Sequence, residues 1–235
     1  MKLLQRIRNI YQVWIPSIVF NFHYLPFKQA VKLPILLKKP EFRALEGHVS
    51  IQSDKIYRGM IQLGFCRSKV FPDNGISWYN KGEIIFKGYA HIGSNSYIVV
   101  QPKGRVEFGD DFRCSTSIKI ISCVGITFGK GERIGWENIF IDSNFHPLYD
   151  IETQTFKKAY GKIEIGDYNW FSTQCFVMHS VETPERCIFG ARSTVVKSSK
   201  PESYCVHVGS PLRIVSRNVM RVYGQDYLTE YPADE

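Results

Sequence analysis

The chain has 235 residues and a formal net charge of +8, and 44% of its residues are hydrophobic against 22% charged. This composition excludes a disordered chain and allows one sizeable domain with an appendage. Residues 1–43 carry eight lysines and arginines against Glu41 alone, which gives them +7 of the net charge. Nucleic-acid-binding domains spread positive charge over the folded surface, so its confinement to one segment argues against that class.

Residues 1–45 are predicted to form an amphipathic, basic and aromatic segment. Its apolar stretch between Ile10 and Phe27 is interrupted at Pro16 and Pro26, so it is too broken to span a bilayer, which takes about 20 apolar residues. The small-residue cleavage site of a signal peptide does not follow it. Two compatible interpretations stay open: an anchor lying at a membrane surface, and a cap that covers the open end of a β-domain.

Residues 46–85 are predicted to pad the N-terminal end of a repeat domain at residues 86–215. In that domain a bulky residue recurs at every sixth position, often followed by glycine. The in-phase positions are Phe86, Ile92, Ile98, Phe108, Cys114, Ile120, Phe128, Ile134, Phe140, Ile165, Phe171, Val177, Thr183, Phe189 and Val195. A period of six fits neither a helix nor simple strand alternation. It is typical of a hexapeptide β-helix, whereas a β-sandwich would not keep strict phase from Ile165 to Val195.

The in-phase positions predict an all-β protein with about five triangular coils of three short strands each. A loop at residues 142–162 interrupts the phase, and residues 216–235 follow as a short tail. The six cysteines form no CxxC pair, which predicts buried thiols in a reducing compartment.

Four segments carry a resemblance to a known family. They are DSNFHPLYD at 142–150, GKIEIGDYNWFSTQCFV at 161–177, IFGARSTVV at 188–196 and VGSPLRIV at 208–215. The chain resembles the left-handed β-helix (hexapeptide-repeat) acyltransferases, especially the sugar O-acetyltransferases of polysaccharide biosynthesis and the galactoside/maltose acetyltransferase group. The resemblance implies a left-handed coil, a homotrimer, and acetyl-coenzyme A bound as the acyl donor in a groove between two subunits.

His146 is the candidate catalytic base. A sugar hydroxyl is a poor nucleophile at neutral pH, and a neutral imidazole can take its proton as the oxygen attacks a thioester. A bare histidine is more often structural, so this role rests on the resemblance of the segment DSNFHP to the family. Asp142 and Asn144 share the strand parity of His146, and either could fix the imidazole tautomer; solvated turn residues are the alternative.

The resemblance also implies residues for the donor and the acceptor. The candidate coenzyme A contacts are Trp170, Ser172, Gly190, Ala191, Ser193, Lys197, Gly209, Ser210 and Arg213. Small residues would let the pantetheine arm reach the main chain, and Lys197 and Arg213 would meet phosphates, although isolated cations are more often plain surface charges. The candidate acceptor contacts are Ser115, Ser117 and Tyr149. The chain departs from the family pattern at three corners, where Ser172, Pro184 and Arg192 replace smaller or different residues.

The sequence therefore predicts a cytoplasmic O-acetyltransferase that modifies a sugar hydroxyl of a surface polysaccharide (capsule, O-antigen or exopolysaccharide) or its precursor. Peripheral contact with the cytoplasmic membrane depends on the open interpretation of residues 1–45. The alternative is a catalytically inactive β-helix scaffold that recruits biosynthetic enzymes to the membrane. A carbonic anhydrase of the same fold needs three histidines on zinc. Because the histidines of this chain lack the close pair of such a site, no metal is expected.

Overall fold

Three parallel sheets wind around one core and form a left-handed β-helix. The computed structural model describes residues 7–66 and 70–223. Each of the first six coils gives one strand to each sheet, so strands from successive coils lie side by side. The sheets are called faces A, B and C, and the turns between them are edges AB, BC and CA.

The strands are distributed over the three faces as follows. Face A contains β1 (Ile35–Leu37), β4 (Ile61–Leu63), β7 (Ala90–Ile92), β10 (Phe112–Cys114), β13 (Arg133–Ile134), β18 (Trp170–Phe171), β21 (Ile188–Phe189), β23 (Cys205–Val208) and the antiparallel β24 (Arg213–Arg217). Face B contains β2 (Pro40–Ala44), β5 (Ile76–Asn80), β8 (Ser96–Val100), β11 (Lys119–Ser122), β14 (Ile139–Ile141), β19 (Phe176–Val177) and β22 (Thr194–Val195). Face C contains β3 (His48–Ile51), β6 (Glu83–Phe86), β9 (Arg105–Phe108), β12 (Ile126–Phe128), β17 (Ile163–Ile165) and β20 (Val181–Thr183). A separate hairpin pairs β15 (Leu148–Asp150) with β16 (Thr155–Lys157).

The six-residue phase predicted from the sequence is the core of this β-helix. Every in-phase residue from Phe86 to Val195 is buried, including Thr183. Equivalent residues stack between coils: the rings of Phe86 and Phe108 lie 5.1 Å apart, and those of Phe171 and Phe189 lie 4.4 Å apart. Burial of these stacked apolar side chains is the main favourable contribution to folding.

The β-helix is longer than the phase predicted. Among the described residues, face B has seven strands and marks seven coils, not about five, and the first coil begins at Ile35. Residues 46–85, expected to be padding, supply strands to faces A, B and C. The repeat is hidden there because residues 52–60 and 64–75 are long irregular connections. The later slips in phase arise where extra residues widen a turn, as at 101–104.

The N-terminal segment caps the first coil. A π-helical turn (Ile10–Trp14) leads into α1 (Ile15–Tyr24), and α2 (Phe27–Ala30) follows. The Asn21 amide donates to the Ile35 carbonyl (2.6 Å) and accepts from the Ile35 N–H (3.1 Å), and the Ser17 hydroxyl accepts from the Leu37 N–H (2.9 Å). These side chains replace the missing neighbouring strand of β1. The cap thereby satisfies an edge that would otherwise expose unpaired backbone groups.

The described part of the C-terminal tail, residues 216–223, packs against edge CA. The Tyr223 hydroxyl donates to Asp111, and the Arg133 guanidinium lies 4.9 Å from the Tyr223 ring centroid. The rest of the tail predicted at 216–235 lies outside the described residues.

A buried carboxyl lies inside edge CA. Glu132 has no exposed surface; one oxygen accepts from the Asn169 N–H (2.9 Å), and the other has no hydrogen-bond partner in the described part of the chain. Burial raises the pKa of the Glu132 carboxyl well above its ordinary value, because the charged form is poorly solvated there. Burial therefore favours the neutral form of this carboxyl in the folded protein.

Glu132→Gln is predicted to remove part of the pH dependence of stability. In the unfolded chain Glu132 ionises near its ordinary pKa of about 4.3. Above that pH the unfolded state releases a proton that the folded state keeps, so the free energy of unfolding falls as pH rises, by at most about 1.4 kcal/mol per unit, until the folded carboxyl ionises. Glutamine does not titrate, so in urea unfolding the variant should gain stability relative to wild type as pH rises above the unfolded-state pKa of about 4.3. Parallel pH profiles for the two proteins would contradict this assignment.

Candidate active site

The loop at residues 142–162 leaves edge BC after β14 and returns to face C at β17. Its base is closed by main-chain hydrogen bonds, from the Asn144 N–H to the Ala159 carbonyl (2.7 Å) and from the Gly161 N–H to the Asp142 carbonyl (3.0 Å). Beyond the base the chain forms the β15–β16 hairpin, where the rings of Tyr149 and Phe156 lie 5.2 Å apart. The loop is therefore a closed insertion at one edge of the prism.

His146 lies between the base of this loop and its hairpin. Its side chain is exposed, and its N–H donates to the Asn144 carbonyl at 2.7 Å, which fixes a tight turn. Phe145, which precedes it, adopts a left-handed backbone conformation (φ 60°) and donates its N–H to the Ser143 hydroxyl at 3.0 Å. The turn presents the imidazole to solvent at edge BC, where a second molecule can reach it. Asn144 is half-buried, and it contacts His146 through its main chain.

Asp142 anchors the coil below the loop, contrary to the expectation that it orients His146. Its carboxylate is completely buried and accepts hydrogen bonds from the N–H groups of Cys123 (2.6 Å), Val124 (2.9 Å) and Gly125 (2.7 Å). It also accepts from the Ser122 hydroxyl at 2.8 Å. Asp142 lies near edge BC, but its carboxylate accepts hydrogen bonds from the backbone N–H groups of the neighbouring corner instead of contacting His146.

The structure adds His179 to the same edge. The sequence analysis assigns this histidine no role, because the histidines do not form a zinc site. Its position two residues after the inward Val177 nevertheless indicates that it lies at edge BC. His179 is half-buried, and its Nδ1 lies 3.2 Å from the Ser180 hydroxyl. A Cβ on Gly161 would lie 2.1 Å from that hydroxyl, so a larger residue where the loop closes over this coil would force the Ser180 side chain to move.

Edge AB brings together most of the predicted donor and acceptor residues. Those that lie on it are Ser115, Ser117, Ser172, Gly190, Ala191, Gly209 and Ser210. The glycines allow close approach of the chain: a Cβ on Gly190 would lie 2.7 Å from a Val208 methyl group, and Gly209 has φ 93°. Ala191 and Ser210 are exposed. The edge therefore presents main chain and small side chains to solvent.

Edge AB also carries a ladder of polar side chains. Residues at the same corner of successive coils adopt the left-handed conformation, among them Ser117 (φ 56°), Glu137 (φ 61°), Gln174 (φ 58°) and Arg192 (φ 59°). The Gln174 amide donates to Glu137 (2.7 Å) and accepts from Arg192 Nε (2.9 Å). Arg192, which departs from the family pattern, is thus held along the edge by its neighbour.

The other four predicted donor residues are not exposed main-chain or small side-chain positions of edge AB. Ser193 is buried, and its hydroxyl donates to the Gly190 carbonyl (2.7 Å), so it closes the turn rather than facing a ligand. Lys197 follows the inward Val195 by two residues and therefore lies at edge BC, beside the coil of His179. Trp170 points outward from face A, with the Arg221 guanidinium 5.8 Å from its ring centroid. Arg213 is exposed at the start of β24.

Face B separates the two edges, and its outer side is largely apolar beyond the charged residues Glu41, Arg43 and Lys119. Its outward, half-buried side chains include Val99, Ile121, Ile139, Ile141, Phe176, Met178 and Val196. The outer side of face C is charged, and there Arg105 pairs with Glu107 (3.2 Å) and with Glu83. An apolar face bounded by polar edges is typical of a protein interface.

His207 and four of the cysteines are buried inside the prism. His207 is buried; its Nε2 accepts from the Glu202 N–H (3.0 Å), and its Nδ1 lies 3.3 Å from the Ile188 carbonyl. The cysteines form no disulfide in the described part of the chain, and burial raises the pKa of Cys114 to about 12. In residues 7–66 and 70–223, no three His, Cys, Asp or Glu side chains are grouped as a metal site, and no helix is long and apolar enough to cross a membrane.

Comparison with known proteins identifies a curated relative and solved structures of similar fold. No protein-family model matches the chain. A curated relative, described as an uncharacterized 24.8 kDa protein in the cps region of Klebsiella pneumoniae, is 26% identical over 158 residues, which are 67% of this chain and 69% of the relative.

Among solved structures, the polySia-specific acetyltransferase NeuO has a TM-score of 0.51 at 20% identity, over 80% of this chain and 78% of NeuO. The polysialic acid O-acetyltransferase OatWY has a TM-score of 0.44 at 19% identity, over 82% of this chain and 94% of OatWY. The similarity to NeuO confirms the predicted resemblance at the level of the fold.

Asp142→Ala is predicted to destabilise the fold. The substitution leaves three N–H groups at the Cys123–Gly125 corner without their acceptor, and each unsatisfied buried donor costs about 1–3 kcal/mol. The free energy of unfolding in urea should fall by about 3 kcal/mol or more. Asn144→Ala, two residues away, serves as the matched control and should change it by less than about 1 kcal/mol. Wild-type stability in Asp142→Ala would contradict the anchoring role.

Proposed function

We propose that this protein is an acetyl-coenzyme A-dependent O-acetyltransferase that acts on a sugar hydroxyl of a surface polysaccharide or of its precursor. The observation that carries the proposal is the arrangement of the two edges around face B. The loop that bears His146 borders this apolar face on one side, and the glycine-rich edge AB borders it on the other.

A homotrimer would bring the two edges together. When three prisms turn face B toward a common axis, edge BC of one copy meets edge AB of the next, and the apolar side chains of face B leave water. Each of the three sites then combines His146 of one copy with Gly190, Ala191 and Gly209 of its neighbour. One chain alone holds these residues on different edges of the prism, so the proposed site is complete only between copies.

The residues of edge AB fit a coenzyme A donor. Exposed main chain beside Ala191 and Ser210 suits a narrow pantetheine arm, and the exposed cations Arg213 and Lys197 suit its phosphates. Arg213 would come from the copy that supplies edge AB, and Lys197 from the copy that supplies His146. When bound, acetyl-coenzyme A supplies the thioester carbonyl that the acceptor oxygen attacks, and it leaves as the free thiol.

The role of His146 is to move a proton. Its neutral imidazole accepts the hydroxyl proton of the sugar as the oxygen attacks, and then returns a proton to the departing sulfur. The turn through Asn144 holds the backbone of His146 in place, which limits the entropy lost when the reactants align. The exposed imidazole lies where an acceptor bound between two copies would be accessible.

A sugar acceptor is supported by a cavity of about 380 Å³ on the side of edge AB. Tyr97, Ser117, Asn95 and Glu137 are among the residues that line it. Hydroxyl, amide and carboxylate groups beside an aromatic ring suit the hydroxyl groups and apolar faces of a sugar. NeuO is specific for polysialic acid and the Klebsiella relative lies in the cps region, which supports a surface glycan as the acceptor class.

His146→Ala is predicted to reduce kcat by about 10²–10⁴-fold, the usual contribution of a positioned general base. The measurement is thiol release from acetyl-coenzyme A with a panel of sugars, nucleotide sugars and capsular oligosaccharides. The matched control is His179→Ala, which removes a second imidazole from the same edge and should change kcat by less than about tenfold. Full activity of His146→Ala would refute the base assignment, and no thiol release by wild type with any acceptor would favour the scaffold alternative.

Mixed trimers should recover activity that each parent variant lacks. His146→Ala removes the base from edge BC, and Ala191→Trp blocks the exposed donor position on edge AB. A trimer containing both variants always includes one site with an intact base facing an intact donor edge. Co-expression of the two variants should therefore restore thiol release to a fraction of the wild-type rate.

The recovery should depend on face B. Adding Phe176→Asp to both parents places a charge on that face and should abolish the recovery, whereas Thr127→Asp on the polar face C should leave it intact. The contradicting outcome is that the two co-expressed variants assemble together, as shown by light scattering, but are as inactive as each variant alone. The base and the donor edge of one site would then belong to the same chain.

A further inference from the structure

The capping helix has two faces with different roles. Ser17, Phe20 and Asn21 are buried against the first coil, where Phe20 packs on Trp78 with ring centroids 5.1 Å apart. Side chains on the opposite side, such as Val19 and Phe22, are 53% and 49% exposed. A helix that serves only as a cap needs one apolar face, so the second apolar face calls for a separate explanation.

The exposed apolar surface is large and continuous along the segment. It consists of Ile7, Ile10, Tyr11, Trp14, Ile15, Ile18, Val19, Phe22, Phe27 and Val31, each at least 39% exposed. In α1, Ile15, Ile18 and Phe22 recur at intervals of three and four and so share one side of the helix. Soluble proteins rarely expose contiguous apolar patches of this kind unless the patch meets a partner or a membrane.

The charged residues around this apolar surface indicate what kind of partner binds there. The first 40 residues contain no Asp or Glu, whereas they contain seven lysines and arginines. Lys38 and Lys39 pair with Asp73, but Lys28 and Lys32 lie on exposed positions around α2 beside the apolar surface. A second copy docked on this surface would bring like charges together. An anionic lipid headgroup layer would match both the cations and the aromatic side chains, which favour the boundary between water and hydrocarbon.

We propose that the uncovered face of the N-terminal helices docks on the surface of an anionic phospholipid bilayer. The apolar side chains enter the headgroup boundary, while Lys28 and Lys32 contact the phosphates. Docking leaves the cap intact, because the hydrogen bonds of Ser17 and Asn21 lie on the opposite side of α1. The segment thus caps the β-helix and anchors it at the same time.

This docking would set the height of the His146 loop above the membrane. Helix α1 covers the free edge of β1, which is the end of the prism. The loop leaves β14, four coils further on, and coils are spaced by about 4.8 Å. Edge BC at the loop therefore lies about 19 Å along the prism from the first coil, and α1 lies between that coil and the bilayer.

The test is flotation of the full chain with vesicles. Wild type should float with phosphatidylcholine vesicles containing 30% phosphatidylglycerol, and binding should fall at least tenfold in pure phosphatidylcholine or in 1 M salt, which screens the charges. Ile18→Ser/Phe22→Ser and, separately, Lys28→Glu/Lys32→Glu should each reduce binding to the anionic vesicles at least tenfold.

Val215→Ser removes an equally exposed apolar side chain at the other end of the prism and should bind as wild type. All five substituted positions are exposed, so thermal unfolding should show that the variants stay folded. Wild-type binding by Ile18→Ser/Phe22→Ser would overturn the proposal, as would no binding to either vesicle. A change in oligomeric mass of that variant without lipid would also overturn it, because a second copy would then cover this face.

Discussion

The parallel register between successive coils is the constraint that positions every other feature of this protein. Phe108 pairs with Phe128, and Ile134 pairs with Phe171, so each inward side chain stacks on its equivalent in the next coil. With the register fixed, the place of a residue in the repeat determines whether it points into the core, lies on a face or lies at an edge. Residues far apart in sequence thereby form continuous lines along the prism.

This stacking of equivalent residues explains which parts of the structure could be predicted from the sequence. The run from Ile165 to Val195 keeps a strict phase, and it predicted both the coil and the inward residues. The coils before Phe86 stayed hidden because long connections break the period, although Trp78 and Ile98 pair in the same way as later residues. Periodicity finds uniform repeats, whereas core packing requires only that equivalent side chains meet after connections of any length.

The six-residue phase also made part of the candidate site predictable. The loop and His146 were found because the phase stops there, and the resemblance supplied the role of the histidine. Asp142 was expected to orient His146 and Ser193 to contact the donor, but both accept hydrogen bonds from backbone N–H groups of neighbouring turns. Such bonds depend on which donors the adjacent coil presents, and a linear motif does not contain that information. Lys197 could have been assigned to edge BC from its distance to Val195 alone.

The closed base of the His146 loop separates the loop from the scaffold. Hydrogen bonds across its neck, at Asn144 and at Gly161, let Ile163 rejoin the register of Ile126 as if no residues intervened. The β15–β16 hairpin can therefore change in length and sequence without disturbing the coils above or below it. A lineage of such proteins could exchange this hairpin as a unit and diversify the surface around one histidine while the prism stayed the same.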